Sequence, residues 1–134
     1  MDSAYILDSY ALLAHFGDEE GGAEAARVLR AAQSGKTKLY LSVINFGEVY
    51  YSIYRERGRE KAEEAKFMME QLPIVIVAAD KDLTLDAARL KGTHSVAYGD
   101  CFAAALGIRH RAKVMTGDPE FKKFGDVVAV EWIR

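Results

Sequence analysis

Pro73-Ile74-Val75-Ile76-Val77 is the run on which the fold turns. Pro73 stops a preceding helix, because its ring clashes with the turn before it and it has no N–H to donate. The four residues after it are β-branched throughout, and stiff side chains of that kind favour extended backbone. They are apolar at every position instead of alternating with polar residues. The run therefore reads as a parallel strand covered on both faces, not as a half-solvated one.

Working outward, helices and strands alternate. Upstream of Pro73 lies a very polar helix, Arg59 to Leu72, and before Gly58 an apolar one, Val43 to about Arg57, with Ser42 as its cap. Leu39 to Leu41 is a short strand. A helix opening at Asp18-Glu19-Glu20 and running to about Gln33, with Gly35 as its stop, carries Ala25, Val28, Leu29 and Ala32 on one face. Ala4 to Leu7 is the first strand, and Ser9 to Phe16 a short helix that Asp8 or Ser9 can cap. Downstream, Asp80 caps a helix through Leu90 with Gly92 as its stop. A loop from Thr93 to Ala97 leads to a helix from about Gly99 to Arg109. Lys113 to Met115 and Val127 to Val130 are the fourth and fifth strands. This alternation implies a parallel sheet with helices on both faces and right-handed crossovers. Ligands of such sheets bind beyond the carboxyl ends of the strands.

The whole chain bounds the function. Its 134 residues fit one domain with a real core, spanning residues 1–134, and half of them are apolar. A formal charge of −2 offers no bulk basic field for nucleic acid, although local basic patches can still steer one. The single cysteine, Cys101, allows neither an internal disulfide nor a cysteine metal cluster. No apolar stretch is long enough to span a membrane, and Met1-Asp2-Ser3 lacks the basic start of a secretory signal. The expectation is a cytoplasmic protein.

Four carboxylates stand where elements meet: Asp8, Glu48, Asp100 and Asp118. Asp8 follows the first strand and Asp118 the fourth, so both lie at the sheet's carboxyl edge. Each has a structural alternative. Asp8 and Asp118 are good helix caps, Pro119 suits a first helical position, and Asp100 is a favourable first-turn charge. Glu48 resists that explanation. Val43, Ile44, Phe46, Val49, Tyr50, Tyr51, Ile53 and Tyr54 surround its helix, which predicts a largely buried helix. No basic residue three or four positions away can pair with it. A buried carboxylate is rarely left unpaired, and a metal ion or a bound cationic group is the economical partner. Thr116 and Ser9 can orient carboxylates or water from behind. Asp126 precedes the fifth strand and sits at the wrong edge.

Other chemistries fit worse. His15, His94 and His110 are scattered without ligand spacing. There is no phosphate-binding glycine loop, no nucleophile elbow, and no base beside Cys101.

The residues resemble the PIN domain, and within it the VapC-like ribonuclease toxins of toxin–antitoxin pairs. Four stretches carry the likeness: Tyr5-Ile6-Leu7-Asp8-Ser9, Ile44-Asn45-Phe46-Gly47-Glu48-Val49-Tyr50-Tyr51, Tyr98-Gly99-Asp100-Cys101-Phe102-Ala103-Ala104-Ala105 and Val114-Met115-Thr116-Gly117-Asp118. Cys101 departs from the alanine usual after this aspartate. The resemblance implies a three-layer α/β/α fold with a five-stranded parallel sheet in the order 3-2-1-4-5. It implies Mg²⁺ or Mn²⁺ held by Asp8, Glu48, Asp100 and Asp118, with RNA cleaved by a metal-activated water. It also implies a homodimer and a cognate antitoxin whose tail covers the groove. Lys36, Lys38, Arg55, Arg57, Arg109, Arg111, Lys122 and Lys123 are candidate steering cations, and Tyr98 and Phe121 candidate base-stacking rings. Tyr50, Tyr51 and Tyr54, with Phe67, Met68, Met69 and Leu72, offer a candidate interface. The rival readings are a PIN-like nuclease of RNA processing or of structured DNA, a non-catalytic module of the same fold, and, on weaker grounds, a phospho-accepting receiver domain.

Overall fold

The computed structural model describes residues 3–133. Five parallel strands form one sheet in the order β3-β2-β1-β4-β5: β1 Ser3–Leu7, β2 Thr37–Ser42, β3 Val75–Val77, β4 Lys113–Thr116 and β5 Val130–Trp132. The six helices are α1 Ser9–Phe16, α2 Gly22–Gln33, α3 Val43–Arg57, α4 Arg59–Gln71, α5 Lys81–Thr93 and α6 Tyr98–His110. A 3-10 segment, Pro119–Val127, bends at Gly125 and links β4 to β5.

Strand alternation divides the core in two. Ile6 and Val114 point to one face, where they pack with Leu83, Phe102, Leu106, Phe121 and Phe124. Leu7, Leu39, Leu41 and Met115 point to the other, against Leu12, Val28, Val49 and Met69. Helices α5 and α6 thus cover one face and α1 to α4 the other, which gives the expected three layers. In α6 the small residues Ala103, Ala104, Ala105 and Gly107 are all buried. A Cβ on Gly107 would come within 3.1 Å of the Ala112 carbonyl, so glycine lets this helix lie close to the sheet.

Several sequence expectations shift. Ile74–Val77 yields a strand of three residues, and it is an edge strand with Val75 half exposed, not one covered on both faces. Asp18-Glu19-Glu20 is not the start of a helix; Asp18 has φ +52° and α2 begins only at Gly22. Gly92 does not stop α5. The helix runs on to Thr93, whose hydroxyl and the neighbouring His94 ring both hydrogen-bond the Leu90 carbonyl. The fifth strand lies three residues later than expected. Val127 still belongs to the 3-10 segment, and Val130, Glu131 and Trp132 are the residues that register with β4.

Helix α3 is the largest departure. Only Asn45, Val49 and Ile53 are buried, at a spacing of one face, while Val43, Ile44, Tyr51 and Tyr54 are exposed. Glu48 is half-buried, not enclosed.

Candidate metal centre

The carboxyl edge of the sheet gathers all four acids. Asp8 leaves β1 and turns into α1, where its Oδ1 accepts from the Ala11 N–H at 3.0 Å. It, and not Ser9, is the cap. Its side chain is 1 % exposed. Asp118 follows β4, caps the 3-10 segment by accepting from the Glu120 N–H at 3.0 Å, and stands before Pro119. Asp100 is the third residue of α6. That helix ends at His110, beside the start of β4, so its N-terminus returns to the edge where the strands finish. Glu48 lies in the second turn of α3, which begins directly after β2.

Asp8 and Asp100 feel their neighbours' charge. Burial chiefly raises the Asp8 pKa from 3.8 to about 7; Asp100 and Asp118 add to the rise, while hydrogen bonds from Thr116 and the Ala11 N–H oppose it. Burial likewise takes Asp100 to about 7, helped by Asp118, Glu48 and Glu120 in that order. The acids at this edge therefore act on one another through their charge, and they repel.

Thr116 is fully buried and does two jobs: its Oγ1 accepts from the Asp118 N–H at 3.0 Å and its hydroxyl serves Asp8. It thus lies between the two strand-end acids. Ser9 sits half-buried at the start of α1 beside Asp8.

Two participants escaped the sequence reading. Glu120 is exposed, pairs with Lys123 at 2.9 Å and adds to the field on Asp100. Its signal was the Asp118-Pro119-Glu120 spacing, which reads equally well as an ordinary helix start. Asn45 is fully buried; its Nδ2 donates to Glu48 Oε1 at 2.7 Å and to the Gly99 carbonyl at 3.1 Å, while its Oδ1 has no partner. Its place on the buried stripe with Val49 was visible in the sequence, its partners were not.

Of the eight candidate cations, Lys122 and Lys123 follow Asp118 and stand at this edge. Lys36 and Lys38 precede or begin β2, and Arg109 and Arg111 lie at the far end of α6, about 18 Å from its start by helix rise. Tyr98 is exposed at the mouth, but Phe121 is 1 % exposed and belongs to the core.

Oxygen donors that repel one another suit a hard divalent cation. Among the described residues no three His, Cys, Asp or Glu side chains close around one point. Mg²⁺ does not require that, since it keeps several waters and takes one or two carboxylates. The donor set fits Mg²⁺ or Mn²⁺ without a closed protein cage.

The family model described as "PIN domain" matches residues 5–127. No curated protein matches the chain in sequence. Among solved structures, DNA-bound VapBC from Salmonella typhimurium superposes with a TM-score of 0.75 at 13% identity, covering 100% of both chains. VapBC2 from Rickettsia felis, bound to a DNA fragment from the promoter, gives 0.72 at 15% identity, over 96% of this chain and 97% of that one. Mycobacterium tuberculosis VapC20, a toxin that cleaves the sarcin-ricin loop, gives 0.71 at 16% identity, over 92% and 95%.

Proposed function

This chain belongs to the PIN domain family, and from that premise we propose that it is a metal-dependent endoribonuclease, the toxin of a VapBC-type toxin–antitoxin pair. The observation that carries the reading is the placing of four acids at the sheet's carboxyl edge, where burial chiefly, with neighbouring carboxylates adding, raises Asp8 and Asp100 to about 7. Such a cluster stays charged at neutral pH when a cation sits within it.

Asp8, Asp100 and Asp118 are the proposed ligands of Mg²⁺ or Mn²⁺, directly or through water, and Glu48 ligates or orients the attacking water. A bound divalent ion supplies an activated water and neutralises charge on the scissile phosphate. The chain's own residues do the rest. Thr116 holds Asp8 and Asp118 in register, Ser9 supports the first turn beside Asp8, and Lys122 and Lys123 draw the RNA backbone toward an acidic edge that would otherwise repel it. Tyr98, 43 % exposed two residues before Asp100, offers a ring to a base.

The partners follow from two surfaces. A cleft of about 430 Å³ between α1 and α3, lined by Tyr10, Leu13, Phe16, Ile53, Glu19 and Arg57, suits the tail of a cognate antitoxin. Tyr10 packs over Gly117, so the cleft abuts the strand end that carries Asp118. On the α3–α4 hairpin, Tyr51, Tyr54, Phe67 and Met68 are exposed and form the proposed homodimer surface, whereas Met69 is buried and Leu72 half-buried. No helix among the described residues is long and apolar enough to cross a membrane, and the proposed site of action is the cytoplasm.

The test is cleavage of RNA with Mg²⁺ or Mn²⁺, with single-stranded DNA as the control and EDTA to remove the metal. Defined RNA products that EDTA abolishes are expected. DNA cleavage alone would move the reading to a structure-specific nuclease, and inertness toward both would leave a binding module.

A further inference from the structure

Asn45 occupies a position that the pattern of α3 assigns to an apolar side chain, between the core-facing Ser42 cap and Val49. Burying an amide there is costly wherever its hydrogen bonds are not made, because the group has given up its bonds to water. The two bonds that are made both run from Nδ2 to acceptors, the Glu48 carboxylate and the Gly99 carbonyl. An amide turned the other way would set Oδ1 against two oxygens, so the orientation is fixed by its surroundings. Oδ1 is then left buried without a partner. A residue chosen for packing alone would not carry that penalty, because leucine fills a similar space without a polar atom.

Glu48 is held from the other side by Gly99. A Cβ at residue 99 would overlap the Glu48 carboxylate, so the absence of a side chain opens the space that the carboxylate fills. Glu48 therefore lies between the Asn45 amide and the first turn of α6, one residue from Asp100. We propose that Asn45 is a positioning residue: its amide ties Glu48 to the first turn of α6 and so fixes the spacing between Glu48 and Asp100 for the metal. The inference rests on the reading of the four acids as a metal centre.

The test is a double-mutant cycle on metal binding, without turnover. Mn²⁺ affinity is measured by electron paramagnetic resonance for the wild type, Asn45→Leu, Glu48→Ala and the double variant, with thermal melting as the folding control. Asn45→Leu should weaken Mn²⁺ binding roughly ten- to a hundredfold, the usual effect of losing a partner of a ligand. In the Glu48→Ala background the same change should cost nothing more. A full additional loss there, or unchanged affinity in the single variant, overturns the proposal. In the wild type, Mg²⁺ should move the Asn45 side-chain amide resonances, and in Glu48→Ala it should not; unmoved wild-type resonances overturn the proposal even if Asn45→Leu fails to fold. A wild type that binds no Mn²⁺ overturns the metal-centre reading itself, which is a separate result.

Discussion

The Glu48 carboxylate rests against the α-carbon of Gly99, in space that any side chain at that position would fill. Two helices from opposite faces of the sheet thus meet through one acid and one glycine at the edge where the strands end.

Gly99→Ala follows directly. The new methyl displaces the carboxylate, because the α6 backbone is packed against the core and the side chain is the softer partner. RNA cleavage should fall at least about tenfold, on the scale of a lost partner of a ligand, with the fold retained by circular dichroism. Wild-type activity in this variant would mean that Glu48 needs no fixed place.

Asp8→Asn separates two roles of one residue. Asparagine is as good an N-cap as aspartate, so the bond to the Ala11 N–H survives. The charge does not, and cleavage should drop by about a hundredfold or more, since losing a ligand's charge should cost at least as much as losing a ligand's partner. Loss of activity with an unchanged or higher melting temperature is the expected pair of results; retained activity would remove Asp8 from the site.

The pH dependence of stability has a definite sign. Asp8 and Asp100 sit at about 7 in the folded chain against 3.8 when unfolded. Between those values the folded protein holds protons that the unfolded chain has released, so metal-free stability falls as pH rises through that window. Melting by calorimetry should show a drop of roughly 5 °C or more between about pH 5.5 and pH 8. Mg²⁺ should reverse most of it at the upper pH and little at the lower, since metal and proton compete for the same oxygens. A flat profile would show that neither burial nor neighbouring charge raises these two acids.

Trp132 is the chain's only tryptophan, so it reports on its own surroundings. It pairs with Thr116 across β4 and β5, is 40 % exposed, and has the Lys122 ammonium 5.9 Å from its ring centroid. Partners in a parallel ladder project to the same face. RNA entering the site should therefore quench its emission, measured with the metal chelated. No spectral change at saturating RNA would place the substrate path elsewhere.

Phe67→Glu should leave the fold intact and yield a monodisperse monomer by light scattering. Phe67 is 62 % exposed on α4, and a charge there spoils an apolar interface without touching the core. A monomeric wild type would instead leave the patch free for another protein.

Much of this was legible because strand ends announce themselves. Asp8 after Tyr5-Ile6-Leu7 and Asp118 after Val114-Met115-Thr116 mark one edge in the sequence itself, and Ser42, Asp80 and Gly58 mark helix ends by their capping chemistry. What misled was apolar surface. The exposed Val43, Ile44, Tyr51 and Tyr54 look in sequence the same as core, so α3 read as enclosed. The same ambiguity made Ile74–Val77 read as covered on both faces, although the strand lies at the sheet edge with Val75 half exposed. Gly92 read as a stop because its helical cost of about 1 kcal/mol is visible, while the Thr93 and His94 bonds that offset it are not. Asn45 and Glu120 depend on residues distant in sequence or on side-chain geometry, which periodicity does not encode.

The site also has a history within each molecule's synthesis. Asp8 belongs to the first strand and Asp118 to the turn after the fourth, and they meet only when β4 has docked beside β1. At roughly 5–20 residues per second, many seconds separate the appearance of one from the other on the ribosome. A translation product that ends before β4 carries Asp8, Glu48 and Asp100 but lacks Thr116 and Asp118. The four-acid edge is therefore among the last parts of the fold to be completed, and on the proposed ribonuclease reading the cleaving site exists only once the chain is almost finished.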